Sequence, residues 1–363
     1  MVRAELVACR IRQTSLESCF GTGLIESIFG FCLSYTVDCL WYSFPMKPTY
    51  QDRIELVGQS PLRPSFRVAT QTDLQATYNV YLAANEDLNL QLGRCVDLKM
   101  HNLRERALAV RRSGLRYDRE TFWIAEVDGR VGGFGLAIRR RSLWYLAALH
   151  VLPEFQGQGV GTELIRRCLG RFEADEDPWL LTTSDSANMV SNGLYLRFGL
   201  APQSVILQLH GQARSLGRKG VSLRRADSVV ARDCFDRIDR IVLGEIRPED
   251  HQCWAGVPFM LPYLVFEGDR MVGYIYIDRE GALGPAGLES PELLAPTISA
   301  AIEVYAADQS APLKIRIPND AREALRALMS HGFNCLTEVE LLLSSRQFGR
   351  LGQYLFSGAD ALF

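Results

Sequence analysis

Histidine is scarce in this chain, five in 363 residues, and none stands at an i, i+4 spacing or beside cysteines in a zinc-binding pattern. Metal sites need such convergence, so no metal centre is expected. The nine cysteines are an odd number and form no CxxC unit. Four of them (Cys9, Cys19, Cys32, Cys39) precede residue 40, and the other five are scattered through apolar segments, where a thiol serves as a small hydrophobe. A disulfide framework is excluded, and a reducing, cytoplasmic setting is expected. Charge of one sign is lacking too: 40 basic against 42 acidic side chains leave a net −2. Neither nucleic acid nor an anionic membrane is an expected partner, and Arg139-Arg140-Arg141 and Arg166-Arg167 read as solvated faces. No long hydrophobic run exists either. Leu24 to Phe44 is broken by Glu26 and Asp38, leaving Ser27 to Val37, too short to span a bilayer. Arg3, Arg10 and Arg12 ahead of it would suit a targeting segment, and translation from Met46 is the other reading. Either way residues 1–60 are expected to be a poorly ordered extension apart from the chemistry.

What is present is regular from Phe66 onward. A short strand (Phe66–Ala69) precedes a helix capped by Thr72 or Asp73 and running to about Leu92, and a second helical stretch spans Leu103–Arg112. Phe122–Val127 and Val131–Arg139 flank Asp128-Gly129, a hairpin signal, and Leu143–Val151 is a third apolar strand. A helix over Thr162–Phe172, a strand over Pro178–Thr183, a helix over Asn188–Phe198 stopped by Gly199, and a strand over Ser204–His210 complete the unit. After a Gly/Ser/Arg linker the order recurs: strand Val221–Arg225, helix Ser228–Leu243, hairpin Tyr263–Ile277, helix from Ser290, strand Leu313–Ile317, helix Ala321–Ser330 stopped by Gly332, strand Leu336–Leu343. The reading is an α/β protein of two related domains at 65–211 and 221–345, joined by a linker at 212–220 and followed by a tail at 346–363.

One segment carries chemistry. Gln156-Gly157-Gln158-Gly159-Val160-Gly161 follows the strand Leu143–Val151 and the Pro153 turn, and it opens a helix. Glycines let the backbone approach a ligand, and a helix start offers unpaired N–H groups with a partial positive charge, which together cradle a pyrophosphate. A dinucleotide-binding loop fits worse, because the spacing is G-x-G-x-G with no βαβ unit around it, and no GK[ST] phosphate loop occurs.

Leu149 to Leu164 and Asn188 to Leu200 resemble two motifs of the GNAT superfamily of acyl-CoA-dependent N-acyltransferases: the strand, proline turn and Q/R-x-x-G-x-G/A loop, and the Asn…Leu-Tyr…Gly-Phe helix, with Leu200 in place of Phe. The likeness covers about residues 65–210 and implies a mixed, mostly antiparallel sheet flanked by helices in each domain. It implies acetyl-CoA as cosubstrate, with the N–H groups of Gln158 to Gly161 on its pyrophosphate, Gln156, Gly157 and Val160 in the same loop, and Gly161 letting the helix pack near the ligand. It also implies main-chain groups near Leu149 and Val151 pairing with the pantetheine arm, one N–H polarising the thioester carbonyl. Asn188 is expected to bond that arm or to cap its helix. Tyr195 is the implied general acid for the departing thiolate.

The base is open. Some family members place a glutamate in the strand before the loop; here that strand has none, and its place falls near Tyr145. Strand alternation puts Tyr145 on the face of Leu149 and Val151, with His150 on the other. Tyr145 relaying to water, His150 and Glu126 are the candidates. An acidic cleft of Glu86, Asp87, Asp97 and Asp118 would favour a cationic small substrate. In the second domain Gly284 to Pro291 is read as the place of the glycine loop, with Pro285, Pro291 and Pro296 lacking N–H groups, and Leu328 as the place of Tyr195. That domain is read as a degenerate copy. The expected activity is transfer of an acetyl group to a primary amine of a small molecule, by direct attack through a tetrahedral intermediate. The alternatives are a protein or peptide acceptor, or an acyl-CoA-binding pseudo-enzyme with a regulatory role.

Overall fold

The computed structural model describes residues 64–94, 101–170, 178–227, 231–309 and 311–357. The expected extension at 1–60 and Asp97 lie outside the described residues.

Apolar alternation builds the first half as a sheet. β1 (Ser65–Val68), β2 (Phe122–Val127), β3 (Arg130–Arg140) and β4 (Leu143–Val151) pair antiparallel in that order. Asp128 and Gly129 turn the β2–β3 hairpin with φ of 51° and 74°, both in the region a tight primed turn requires. Between β1 and β2 run α1 (Leu74–Gln91) and α2 (His101–Tyr117), whose Tyr78, Tyr81, Leu108 and Val110 bury against Phe122, Ile124 and Phe134. After β4 comes α3 (Val160–Leu169), whose Val160, Leu164, Ile165 and Cys168 form one buried stripe on the opposite face, while Glu163 and Arg167 pair at 2.9 Å on the outer side. β5 (Trp179–Asp185), α4 (Met189–Arg197) and β6 (Ala201–Gly211) complete the half.

The second half repeats this order: β7 (Ser222–Arg225), α5 (Arg232–Val242), α6 (Pro248–Ala255), β8 (Met260–Glu267), β9 (Arg270–Asp278), β10 (Ala282–Leu288), α7 (Leu294–Asp308), β11 (Leu313–Pro318), α8 (Arg322–Ser330) and β12 (Asn334–Ser344). The register makes the repeat residue-specific. Gly133 faces Val151 and Ala137 faces Leu146 in one half; Gly273 faces Leu288 and Ile277 faces Leu283 in the other. Leu200 N–H returns to the Tyr195 carbonyl at 3.1 Å, as Phe333 N–H does to Leu328 at 3.2 Å. Leu328, fully buried, therefore stands where Tyr195 does.

This register corrects one expectation. Gly284 to Leu288 is not the counterpart of the glycine loop; it is strand β10, with Gly284-Pro285 at a bulge where Ala147-Ala148 stand in β4. Gly and Pro read as loop residues in sequence, but a bulge also accepts them, because it frees a backbone position from the ladder. The connection that corresponds to the loop is Glu289 to Leu293, a 3-10 turn that runs straight into α7 with no left-handed residue. The second half has lost the loop by shortening.

The halves share one 13-stranded sheet, twelve of whose strands follow the order β1-β2-β3-β4-β5-β12-β6-β11-β10-β9-β8-β7, with a short last strand beside β10. The final strands are exchanged: β12 lies between β5 and β6, and β6 lies between β12 and β11, all antiparallel. Residues 212–220 connect β6 to β7, yet the ladder runs unbroken between the halves. Buried ion pairs cross the same junction. Arg140 of β3 is held by Asp118 at 3.0 Å and by Asp250 of α6 at 2.6 Å, and Arg106 of α2 pairs with Asp278 of β9. After β12 the chain stays packed: Phe348, Leu351 and β13 (Tyr354–Leu355) are buried, and β13 pairs with β10.

Because β5 has β12 on one side and β6 has only second-half strands and β12 for neighbours, neither half can close its sheet alone. A fragment of residues 62–215 expressed by itself is expected to aggregate or to melt without a cooperative transition. Co-expression with residues 216–363 is expected to restore a single transition by circular dichroism. A cooperative melt of the isolated fragment at the full chain's temperature would contradict the strand exchange.

Candidate active site

The site begins where two strands part. β4 and β5 pair in parallel only from Leu143/Trp179 to Leu146/Thr182. Thr182 closes the last rung with its hydroxyl, donating to the Leu146 carbonyl at 3.0 Å. The next residue of β4, Ala147, is bulged out of register against Leu136 and Ala137, which bends the strand away. From there Leu149 and Val151 present main-chain groups to a gap instead of to β5. The Val151 carbonyl faces it, since Leu152 N–H bonds Gly132 on the β3 side at 2.9 Å while the Gln156 side-chain amide reaches Val151 O at 2.9 Å.

The glycine loop stands at the open end of this gap. Pro153–Phe155 make one 3-10 turn, and the Gln158 side chain ties the loop down by donating to Glu154 O at 2.9 Å. Gly157 and Gly159 have φ of 75° and 84° with nothing within 4 Å of where a Cβ would be. Their glycine identity serves the left-handed backbone, which aims consecutive N–H groups the same way. Gly159 is the N-cap of α3 and offers no side-chain cap, so the N–H groups of Val160, Gly161 and Thr162 keep no intrahelical acceptor. Such a turn fits an anion. A Cβ on Gly161 would sit 3.6 Å from Leu194, an ordinary contact, so this position tolerates a small side chain.

Tyr195 lies at the apex of the gap. It is 6 % exposed, and its phenol hydrogen-bonds the hydroxyls of Thr182 and Ser191. Burial pushes its pKa up to about 12, against those two hydrogen bonds, so it stays protonated at neutral pH. Asn188 caps α4: its Oδ1 accepts from Ser191 N–H at 3.1 Å. Sequence reasoning passed over Asn192, one turn further on. Its amide donates to the carbonyls of Asp185 and Ser186 at 3.0 and 3.2 Å, closing the end of β5, and its buried Oδ1 has no partner among the described residues. It also passed over Arg94, which pairs with Asp185 and so latches the end of α1 to the end of β5. No local pattern in the sequence marks either contact. Cys168, on the inner face of α3, is fully buried, which pushes its thiol pKa up.

The candidate bases are dispersed. The Ala147 bulge inverts the expected alternation: Leu143, Tyr145, Ala148 and His150 face α1 and α2, while Trp144, Leu146, Leu149 and Val151 face α3. Tyr145 and His150 therefore share a face. The Tyr145 hydroxyl is 3.0 Å from that of Thr183, just beyond the apex. His150 lies edge-on to Tyr81 and beside Phe134, and burial together with the Arg111 charge lowers its pKa to about 3. Glu126 accepts from Arg67 Nε at 2.9 Å, and Arg67 also binds Asp73 at the start of α1. Asp118, expected in an acidic cleft, is instead buried on Arg140 at the junction of the halves. There burial holds its pKa up at about 6, against the pull of Arg140.

Residues 85–200 match the model of the acetyltransferase (GNAT) family. That span is a GNAT acetyltransferase-family domain. The matched span contains the gap, the glycine loop and Tyr195. No curated relative matches the chain by sequence. Among solved structures, a Pyrococcus horikoshii protein is 17 % identical with a TM-score of 0.63, covering 83 % of this chain and 96 % of its own. A GCN5-related N-acetyltransferase from Sphaerobacter thermophilus is 15 % identical with a TM-score of 0.55, covering 80 % and 98 %. Another from Kribbella flavida is 17 % identical with a TM-score of 0.51, covering 78 % and 71 %. At these identities the likeness is one of fold, and it extends well beyond the GNAT match into the second half. No helix among the described residues is long and apolar enough to cross a membrane.

His150 gives a direct check on this environment. Its pKa lies below the unfolded value of about 6.5, so protonation favours the unfolded chain. Its contribution to stability is complete above that value and is lost as pH falls toward 3. The His150 ring resonances are expected not to titrate between pH 8 and pH 5; an inflection near 6.5 would show an exposed imidazole.

Proposed function

We propose that the first half transfers an acetyl group from acetyl-CoA to the primary amine of a small molecule. The observation that carries this reading is the gap beyond Leu146 and Thr182, open between β4 and β5, with an uncapped helix start at its mouth and a protonated phenol at its apex. These residues fit the donor. The N–H groups of Gln158 to Gly161 meet the pyrophosphate, Leu149 and Val151 pair with the pantetheine arm as an added strand would, and Asn192 Oδ1 takes a donor from it. Asn188 supports the arm indirectly, by fixing α4.

The donor supplies a thioester whose carbonyl is attacked by the neutral amine. In the tetrahedral intermediate the developing oxyanion lies at a main-chain N–H of the bent part of β4, a donor already oriented by the bulge. Tyr195 gives its proton to the departing sulfur. The Ser191 hydroxyl then donates to the phenolate, while the Thr182 hydroxyl, whose proton goes to the Leu146 carbonyl, serves only to accept from the neutral phenol. Tyr145 and Thr183, on the α1/α2 face next to the apex, pass the amine's proton outward. The Arg94–Asp185 latch draws α1 across the end of β5 and favours an enclosed acceptor over an open peptide groove.

Calorimetric titration with acetyl-CoA tests the donor. One molecule is expected to bind per chain, and Gly159→Val is expected to abolish that binding by destroying the left-handed turn. Tyr195→Phe is expected to lower turnover on an amine panel about 10²–10⁴-fold, the usual worth of a general acid, with acetyl-CoA affinity unchanged. No binding by the well-folded chain refutes the assignment; full turnover by Tyr195→Phe removes the phenol from the mechanism.

A further inference from the structure

The second half contains the same parting of strands. β10 and β11 pair in parallel at Ala282/Lys314 and Leu283/Ile315, and then diverge at the Gly284-Pro285 bulge. Here the gap is not open. After a 3-10 turn at Leu351–Gln353, the chain's own Tyr354 to Phe356 enters it as an extended strand. Leu355 pairs with Ala286 and Tyr354 with Gly287, antiparallel on β10, and Phe356 bridges to Arg316 on β11. By register, Ala286 and Gly287 are the counterparts of Leu149 and His150 in β4. The segment thus lies in the slot that, on the reading of the first half given above, takes the pantetheine arm.

We propose that this slot is a peptide-binding site whose resident ligand is the chain's own Gln353-Tyr354-Leu355-Phe356. Main-chain pairing supplies the binding, as in strand addition to a sheet edge, and four local features supply selectivity. Gln353 donates to the Leu288 carbonyl at 2.8 Å, the task Gln156 performs on Val151 in the first half. The Tyr354 hydroxyl accepts from Arg247 at 3.3 Å, inside a buried cluster of Asp239, His251 and Tyr274. Leu355 is fully buried among the residues of the second core. Phe356 is 1 % exposed, its N–H bonds Arg316 O at 3.1 Å, and its carbonyl lies against Gly284, where a Cβ would be 2.2 Å away. Gly284 is therefore required by the ligand strand. Arg316 holds the exit of the peptide by donating to Ser357 O at 2.6 Å.

A site of this kind exchanges its occupant once the resident strand is disabled in place. The test uses the full chain carrying Leu355→Asp with Phe356→Asp, and a fluorescent synthetic peptide of residues 350–363. The wild-type chain is expected to take up no peptide. The doubly substituted chain is expected to bind one, with a rise in melting temperature, and to bind a peptide bearing the same two aspartates roughly tenfold or more weakly. Failure of the folded variant to bind the native peptide overturns the proposal, as does equal binding of both peptides. Should that variant not fold, hydrogen exchange of the wild-type chain decides. The amides of Phe356 and of Ala286 to Leu288 are expected to exchange as slowly as those of β9, and rapid exchange at Phe356 overturns the proposal. Neither measurement involves a thioester, so its outcome is separate from that of the donor assignment.

Discussion

The divergence of two parallel strands is the constraint on which the rest depends. A parallel pair held for only a few residues leaves main-chain donors and acceptors facing a gap, and such groups must find partners. The protein meets this requirement twice in different ways. In the first half a bulge at Ala147 bends β4 from β5, and the gap stays open among the described residues. In the second half a bulge at Gly284-Pro285 bends β10 from β11, and the C-terminal strand fills the gap. Two further differences between the halves accompany that one. The open gap has a glycine loop at its mouth and a phenol at its apex; the filled one has a shortened turn and Leu328.

The exchanged strands explain why a half without the glycine loop is retained in the architecture. β5 carries Thr182, the hydroxyl that marks the apex, and its second neighbour is β12 from the other half. The buried Asp118–Arg140–Asp250 group anchors the end of β3 to α6. Removing one partner of such a buried set leaves a charge uncompensated, at a cost of about 3–5 kcal/mol, so the halves are energetically as well as topologically interdependent.

Much of this was legible in the sequence. The element order, the Asp128-Gly129 hairpin, the glycine loop opening a helix, and the Gly199 and Gly332 helix stops rest on local signals, and local signals survive folding. The errors fall where a local signal has two meanings. One bulged residue at Ala147 reverses which face Tyr145 occupies, and no side-chain pattern announces a bulge. Gly284-Pro285 reads as a loop because turns and bulges both use these residues. The contacts Arg94–Asp185, Asn192 with the end of β5, and Tyr354 with Arg247 join positions far apart in sequence or carry no motif. They become visible only when the sheet is assembled.

Hydrogen–deuterium exchange on the whole chain, with and without acetyl-CoA, separates an open gap from a filled one. New protection is expected at Leu149–Val151 and Gln158–Gly161 only, with β10 and β13 already protected and unchanged. Protection appearing in β10 and β13 instead, or none in the glycine loop at saturating acetyl-CoA, would contradict that contrast.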